Sequence, residues 1–374
     1  MEIIMQDIDV TRQKIEEIDK NIADLFEERM NLAKDIAEYK KERGLSVKDS
    51  TRENALLEKN RSYIHNPEIE EYYVNLQKTI MELSCDYQER LLSGLKVAYS
   101  GVLGAFAHIA AMKMFPNANF FAYSSFKDAY DAVENGDCDC CVLPLENSYA
   151  GEVDAVTDLL FTGNLFVNQV ISLPIEHCLI AKKGASINDI KTVISHEQAL
   201  KQCNKYISGK GFDTLEAGNT AMAAKTVTET SDKTVAAIAS YEAADIYGLQ
   251  VIERNINDSR NNSTRFAAFS RVQNKPSVKG LREDENFILV FTVQNKAGAL
   301  AQTLNILGAH GYNMRSLRSR PMKNLEWQYF FYIEAEGNIN NENGKALLKE
   351  LSAICARLKL AGTYFIKRYE DVNL

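Results

Sequence analysis

The chain has 374 residues, 45% of them hydrophobic and 25% charged, with a formal net charge of −8. That is enough sequence for two or three domains with cores of their own. Modest acidity without a basic patch argues against a nucleic-acid partner, and no apolar run approaches the roughly 20 residues of a membrane span. The N-terminus reads as a charged amphipathic helix rather than a signal peptide, so a cytoplasmic location is expected. Asn-x-Ser/Thr triplets such as Asn261 to Ser263 then carry no meaning as glycosylation sites. Seven cysteines at irregular spacing fit buried thiols better than a metal site, because Cys138, Cys140 and Cys141 lead straight into the strand-like Val142-Leu143.

From Ile8 the apolar residues recur in a helical three-four rhythm: Ile8, Ile15, Ile18, Ile22, Leu25, Leu32, Ile36. The same stripe carries Arg12, Arg29 and Lys40, and cations on a core-facing stripe call for anionic company. One such residue is explained by a structural ion pair or by snorkelling; three together point to a bound anion. At about 1.5 Å per residue, Arg29 and Lys40 lie roughly 16 Å apart and can converge on a small anion, whereas Arg12 lies ~42 Å from Lys40. If all three cations serve one kind of site, Arg12 must serve a partner chain's copy, as in an antiparallel homodimer of long helices. Gly44 ends this helix, and Asp49 caps a short second one with Arg52 and Glu53 in its first turns. Asn66-Pro67 opens a third, striped by Ile69, Tyr73, Leu76, Ile80, Leu83, Tyr87 and Leu91, with Ser84 and Gln88 sharing a face beside the stripe.

In type and order, Arg12, Arg29, Lys40, Asp49, Arg52, Glu53, Ser84 and Gln88 resemble the active-site set of the all-helical chorismate mutases, over roughly residues 6 to 93. The resemblance implies a concerted intramolecular rearrangement of chorismate to prephenate, which needs neither nucleophile nor cofactor. Arg12 (from the other chain), Arg29 and Arg52 would grip the carboxylates, and Lys40 and Gln88 would donate to the ether oxygen. Glu53 and Asp49 would orient the substrate hydroxyl, with Ser84 a further contact.

Past Ser93-Gly94 the pattern becomes alternating strands and helices, an α/β domain. Strands are expected at Lys96 to Ser100, Cys141 to Leu145, Thr192 to Ile194 and Val235 to Ile238, and several of the turns that follow them carry Ser, Thr, Asn or Gly. Such turns are either helix caps or anion sites. A dinucleotide fold is not supported: Gly101 and Gly104 lack the Gly-x-Gly pair, and no acidic residue ends a second strand. The segments resemble prephenate dehydratase instead, over roughly residues 95 to 272, with two α/β lobes about a cleft. Gly101-x-x-Gly104-Ala105-Phe106-Ala107-His108, Pro144-Leu145-Glu146-Asn147-Ser148, Ser195-His196-Glu197-Gln198-Ala199, Asn219-Thr220-Ala221 and Thr264-Arg265-Phe266 carry the resemblance.

The implied reaction aromatises prephenate to phenylpyruvate, with loss of carbon dioxide and the ring hydroxyl. Thr264 would sit at that hydroxyl, assisted by neighbours that the sequence does not identify. Asn147, Ser195, Gln198 and Thr220 would contact substrate, and Ser148, Asn219 and Phe266 are carried with their motifs in the same role. Arg265 is either a carboxylate anchor or a structural ion pair, and Glu146, carried with its motif among the substrate contacts, is either a structural hydrogen-bonder or the acid. The chain departs from the pattern at Ala105 and Ala107, where hydroxyls are common, at Glu197, where proline is usual, and at Tyr149, where a smaller residue is common.

Residues 271 to 285 are polar, contain Pro276 and Gly280 and read as a linker, placed at 273–285. Beyond it a β-α-β-β-α-β order over 286–374 fits a ferredoxin-like plan, with the second helix running from Gly344 to about Leu358 and the last strand from Thr363. It resembles an ACT regulatory domain of the phenylalanine-binding type. Gly298-Ala299-Leu300 would close over the amino acid's backbone, and Arg318-Ser319-Arg320-Pro321 corresponds to a Glu-Ser-Arg-Pro motif with its first charge reversed. Such domains pair edge to edge. The combined expectation is a multidomain enzyme acting on chorismate and prephenate, inhibited by L-phenylalanine, without cofactor or metal, and a homodimer or tetramer with helix-swapped mutase sites. The competing readings are a non-catalytic amino-acid sensor and a mutase with an inactive dehydratase.

Overall fold

The computed structural model describes residues 8–259, 261–273, 285–322 and 329–368. Two compact units emerge, residues 1–95 and 96–374. The first contains α1 (Ile8–Arg43), α2 (Ser50–Arg61) and α3 (Pro67–Ser93). Asp49 caps α2 by accepting the Arg52 N–H at 3.1 Å, and Asn66 caps α3 with Pro67 in its first turn. Small residues let α1 approach α3: Ala33 and Ala37 are buried beside Val74, Met81, Ser84 and Gln88. The long apolar stripe of α1 is not buried within the chain. Ile15 is 52%, Leu25 64% and Leu32 57% exposed, and Leu76 and Leu83 of α3 are exposed too. At 36 residues, α1 is roughly 54 Å long, too long to be covered by the shorter helices of its own chain.

The second unit begins with β1 (Lys96–Ser100), α4 (Phe106–Met114), β2 (Asn119–Tyr123), α5 (Phe126–Glu134), β3 (Cys140–Asn147), β4 (Gly151–Glu152), α6 (Asp154–Thr162) and β5 (Phe166–Pro174). The chain then crosses to a second lobe made of β6 (Cys178–Ala181), β7 (Thr192–Ser195), α7 (Glu197–Gln202), α8 (Asn204–Lys210), β8 (Asp213–Glu216), α9 (Thr220–Glu229), β9 (Val235–Ala239), α10 (Tyr241–Tyr247) and β10 (Gln250–Glu253). It returns through β11 (Ser263–Ser270) and ends in β12 (Glu285–Thr292), α11 (Ala299–Ala309), β13 (Asn313–Pro321), β14 (Tyr329–Glu336), α12 (Glu342–Ile354) and β15 (Arg357–Arg368).

The second lobe has its own five-stranded sheet, ordered β10-β6-β9-β7-β8, with buried clusters on both faces. All other strands join one sheet, ordered β13-β14-β12-β15-β5-β11-β3-β1-β2, with β4 added on β3. The two passages between lobes run side by side: Ile175 donates to the Asn262 carbonyl, Ile256 donates to that of His177, and Asn257 bonds both Ile175 and His177.

Strand β12 alternates Phe287, Leu289 and Phe291 towards α11 and α12 with Ile288 and Val290 towards the first lobe. It therefore reads as an unbroken apolar run, as a strand covered on both faces must. Phe330 of β14 stacks on Phe161 of α6 at 4.3 Å. The two halves of the large sheet meet where β15 runs parallel to β5, with Gly362 beside Val167. A Cβ on Gly362 would lie 2.2 Å from the Val167 carbonyl oxygen, so only glycine permits this approach.

Three expectations need adjustment. Helix α12 stops at Ile354, and Arg357 and Leu358, expected at the end of the helix, pair with β12 because Leu358 and Leu360 alternate into the sheet's packing. Most of the expected linker, 274–284, lies outside the described residues, and Glu285 already belongs to β12. The stripe expected to face a core is exposed, as above. Among the described residues no helix is long and apolar enough to cross a membrane, and Cys138, Cys140 and Cys141 are buried.

Candidate active sites

In the helical unit, α1 presents Arg29 to α3: its guanidinium donates to the Ser84 hydroxyl and, at 3.4 Å, to the Ile80 carbonyl. Burial lowers the Arg29 pKa from its ordinary value, with a small opposing pull from Cys85. Cys85 was not expected at the site, yet its thiol lies 3.6 Å from a Glu53 carboxylate oxygen, and burial followed by the Glu53 charge raises its pKa. Its position next to Ser84 on α3 was the available signal. Lys40, Asp49 and Arg52 line a cavity of about 640 Å³ at the α1–α2 corner, with Tyr39 and Lys48. The Lys40 ammonium donates to the Val47 carbonyl. Gln88 is buried and donates to the Ser84 carbonyl at 3.2 Å, while its Oε1 has no partner among the described residues. Arg12 is not brought to this cluster: its side chain is 68% exposed and pairs with Asp9 one turn away.

In the second unit a cavity of about 560 Å³ is lined by Asn147, Gln198, Asn219, Thr220 and Thr264 from the expected set. Strand pairing explains the meeting of Thr264 with Asn147, since they are register partners between β11 and β3. The Asn147 amide is held by both ends. Its oxygen accepts the N–H groups of Tyr149 (3.0 Å) and Ala150 (2.8 Å), which turns its NH₂ towards the Thr264 hydroxyl at 2.8 Å. Thr264 Oγ1 is thus an acceptor from Asn147, leaving its own proton to donate into the cavity.

No arginine or lysine lines this cavity among the described residues. Positive potential comes from helix starts instead. Gly218, Asn219 and Thr220 bring the N-terminus of α9 to the wall, with Asn219 capping it, and His196 caps α7 there. Ala105 begins α4 at the same wall without any side-chain cap, so the hydroxyl-to-alanine change leaves free N–H groups rather than a replaced bond. Buried Ala107 and exposed Glu197, which pairs with Lys201, do not line the cavity; nor does exposed Tyr149.

Five expected contacts lie elsewhere. Side chains alternate across a strand, so with Thr264 facing the cavity Arg265 faces the opposite side. There it pairs with Glu334 of β14 at 2.5 and 3.0 Å, with the Tyr364 hydroxyl and with Glu146. Glu146 in turn pairs with Arg318 of β13 at 2.8 Å, and Arg318 reaches Glu152 at 2.6 Å. Arg265 and Glu146 are therefore structural ion pairs. Ser195 is fully buried and donates to the Ile238 carbonyl, Ser148 ties β3 to Ser263 and Asn261, and Phe266 is core. His177 and Gln202, which the sequence did not single out, line the cavity.

Burial pushes the Glu334 carboxyl up, but the Arg265 hydrogen bonds and charge outweigh it, and the pKa lies below its ordinary value. This stabilisation is fully present above the unfolded pKa, near 4.5, and is lost as pH falls through the lower folded value. Glu334→Ala removes the two-point partner of the half-buried Arg265 and leaves it Glu146 at 3.5 Å and the Tyr364 hydroxyl, with an expected loss of about 1–3 kcal/mol; urea melts of the full chain at pH 7 check it, and no measurable loss excludes the ion-pair account.

At the C-terminal module, Gly298 starts α11 in the left-handed region, φ +82, and Ala299 and Leu300 line a cavity of about 370 Å³ with Thr292 and Phe331. Ser319, Arg320 and Pro321 do not line it. Arg320 instead pairs with Asp154 and Asp158 of α6 at 2.6 and 3.2 Å. A single chain does not unite the expected effector residues.

Family models place these three regions: chorismate mutase type II matches residues 11–89, prephenate dehydratase 97–274 and the ACT domain 287–353. The bifunctional chorismate mutase/prephenate dehydratase of Enterobacter agglomerans is 31% identical over 369 residues, 94% of each chain. That of Aquifex aeolicus is 31% identical over 96% of this chain and 98% of its own. The structure of the Arthrobacter aurescens prephenate dehydratase in complex with L-Phe is similar at TM-score 0.67, with 26% identity over 74% of this chain and 91% of that one. The chain belongs to the bifunctional chorismate mutase/prephenate dehydratase family.

Proposed function

We propose that the chain is a cytoplasmic enzyme of phenylalanine biosynthesis that converts chorismate to prephenate in residues 1–93 and prephenate to phenylpyruvate in residues 95–272. Residues 285–374, following a linker at 273–284, would bind L-phenylalanine and inhibit the second step. The observation that carries this reading is the Thr264 hydroxyl, oriented by Asn147 in a cavity walled by helix N-termini.

In the helical unit, Arg29 and Arg52 bind the carboxylates of chorismate, and Lys40 and Gln88 donate to the ether oxygen as it gains charge. The Gln88 NH₂ keeps one hydrogen on the Ser84 carbonyl and has a second for the ether oxygen. Asp49 and Glu53 orient the substrate hydroxyl, and Ser84 holds Arg29 in place. The exposed stripes of α1 and α3 support an antiparallel dimer, in which Arg12 completes the partner's site.

In the dehydratase cavity, the carboxylates of prephenate are held by the N-termini of α9, α7 and α4, through Thr220, Asn219, Gln198 and neighbouring backbone N–H groups. The bond from the ring to its carboxyl carbon breaks and its electron pair enters the ring as carbon dioxide leaves. The carbon–oxygen bond breaks with its pair on oxygen, which takes the Thr264 proton and departs as water; Thr264 is reprotonated from solvent. The hydrogen bond from Asn147 stabilises the threonine oxygen meanwhile.

Ala299 and Leu300 serve L-phenylalanine on one side of its site, and Ser319, Arg320 and Pro321 of a second chain would serve the other. Strand β13 is the open edge of the large sheet, which suits this edge-to-edge pairing. Arg318 and Arg320 tie the same strand to Glu152 and Asp154 on the cavity wall, a route by which the effector reaches the dehydratase.

A time course with chorismate tests the whole reading. Phenylpyruvate is expected to form and to fall when L-phenylalanine is added. Prephenate accumulating alone would remove the dehydratase assignment, and untouched chorismate would favour an amino-acid sensor.

A further inference from the structure

His177 sits in the passage between the lobes and lines the dehydratase cavity, 2% exposed, with the Phe106 ring edge-on to it. Its Nε2 lies 2.9 Å from Gln202 Oε1, and its Nδ1 has no hydrogen-bond partner among the described residues. The tautomer is set from a distance. Backbone N–H groups of Tyr149 and Ala150 take the Asn147 oxygen, so the Asn147 NH₂ donates to Asn262 Oδ1 at 2.9 Å. The Asn262 NH₂ then donates to Gln202 Oε1 at 3.0 Å. That oxygen carries no proton, so the hydrogen between it and His177 belongs to Nε2. Nδ1 is left as a bare, buried acceptor in a residue that lines the cavity. Burial lowers the imidazole pKa below its ordinary value, against a smaller opposing pull from Gln202, which keeps the ring neutral.

A buried acceptor without a donor is costly unless the ligand supplies one. Prephenate, as a dianion, has a single hydrogen-bond donor, its ring hydroxyl; two carboxylates and a ketone are acceptors only. We propose that His177 is a substrate-contacting residue of the dehydratase, whose Nδ1 accepts the hydrogen of the leaving hydroxyl while Thr264 donates to its oxygen. This rests on the dehydratase reading above. One relay, His177–Gln202–Asn262–Asn147–Thr264, orients both groups. As the Thr264 proton moves onto the departing oxygen, the remaining O–H becomes more acidic and its bond to Nδ1 tightens, so the contact favours the transition state. His177 gains and loses no proton overall. A carboxylate placed against the Nδ1 lone pair is repelled, which excludes the reversed binding pose.

Glutamine at this position reproduces the Nε2 donor, and asparagine an acceptor near Nδ1. With prephenate as substrate, His177→Gln is expected to lower dehydratase kcat/KM about 10- to 100-fold, and His177→Asn to recover most of that loss. The wild-type profile is expected to fall on the acid side with a midpoint below 6.5, as protonation turns the acceptor into a donor, and His177→Gln to lack this limb. The ionisable groups around the same wall are His196, Glu152 and Asp154, with Glu176 and Cys178 adjacent in the chain and Asp258 bonded through its N–H to the Gln202 carbonyl. Mutase activity of each preparation serves as the internal standard. Wild-type kinetics in His177→Gln, or equal losses in both variants with the acid limb retained, would overturn the assignment of His177 alone. Wild-type protein that leaves prephenate untouched would overturn the dehydratase reading and this proposal with it.

Discussion

Thr264→Ala is expected to lower kcat/KM for prephenate dehydration by about 10²–10⁴-fold, the range of a positioned proton donor, while chorismate is rearranged at the wild-type rate. The side chain lies at the start of β11, where its oxygen already accepts from Asn147 and its proton alone is available to the cavity. Alanine removes that proton and also frees the Asn147 NH₂, which keeps Asn262 and so stays in place. The fold is therefore retained, and the loss is expected in kcat rather than in KM. Thr264→Ser keeps the hydroxyl but loses the methyl that fixes its rotamer, so a loss of less than about tenfold is expected. Steady-state assays with added prephenate separate the cases. Dehydratase activity in Thr264→Ala within tenfold of wild type would remove Thr264 from the chemistry.

Arg29→Ala is expected to reduce chorismate mutase kcat/KM by about 10²–10³-fold, since it deletes a preorganised cation at the substrate, and to leave turnover of added prephenate unchanged. Ser84 and the Ile80 carbonyl now hold the guanidinium, and burial lowers its pKa, so the site already bears the cost of desolvating this charge. Arg12→Ala should inactivate the mutase as well, although Arg12 is exposed and far along α1 from the cluster. The two variants together give the sharper test. In a helix-swapped dimer, a heterodimer of Arg12→Ala and Arg29→Ala chains has one site with both cations missing and one with both intact. Random mixing after unfolding and refolding should then restore about a quarter of wild-type mutase activity. No recovery on mixing would place Arg12 in its own chain's site, and wild-type activity of Arg12→Ala alone would place it outside the chemistry.

How far the residues could be read in advance depended on the distance over which their roles are decided. Asp49 and Asn66 were legible as caps because a cap is settled within three residues of backbone. Asn147, Asn219, Thr220 and Thr264 were legible through their motifs, and they line one cavity. Arg265 adjoins Thr264 in the chain but faces away from it, and its partner Glu334 lies 69 residues further on. Glu146 is divided from Asn147 by the same alternation. Arg318, a reversed charge when compared with the family motif, becomes intelligible beside Glu146 and Glu152. Cys85, His177 and Gln202 escaped notice because a single thiol, imidazole or amide has no local pattern; each takes its meaning from a neighbour on another element.

The sequence by itself determined the helical and α/β patterns, their order along the chain and the family. Hydrophobic period, capping residues and motif spacing are local properties, written in consecutive residues. It also determined that α1 has an apolar stripe, but not that the stripe lies open in a single chain. Tertiary structure alone decided which face of β11 meets the cavity, that helix N-termini and no arginine line it among the described residues, and that Arg265 joins the ion pairs of β14. Those outcomes follow from strand register and from the packing of one sheet half against the other at Gly362, and both depend on contacts between residues far apart in the chain.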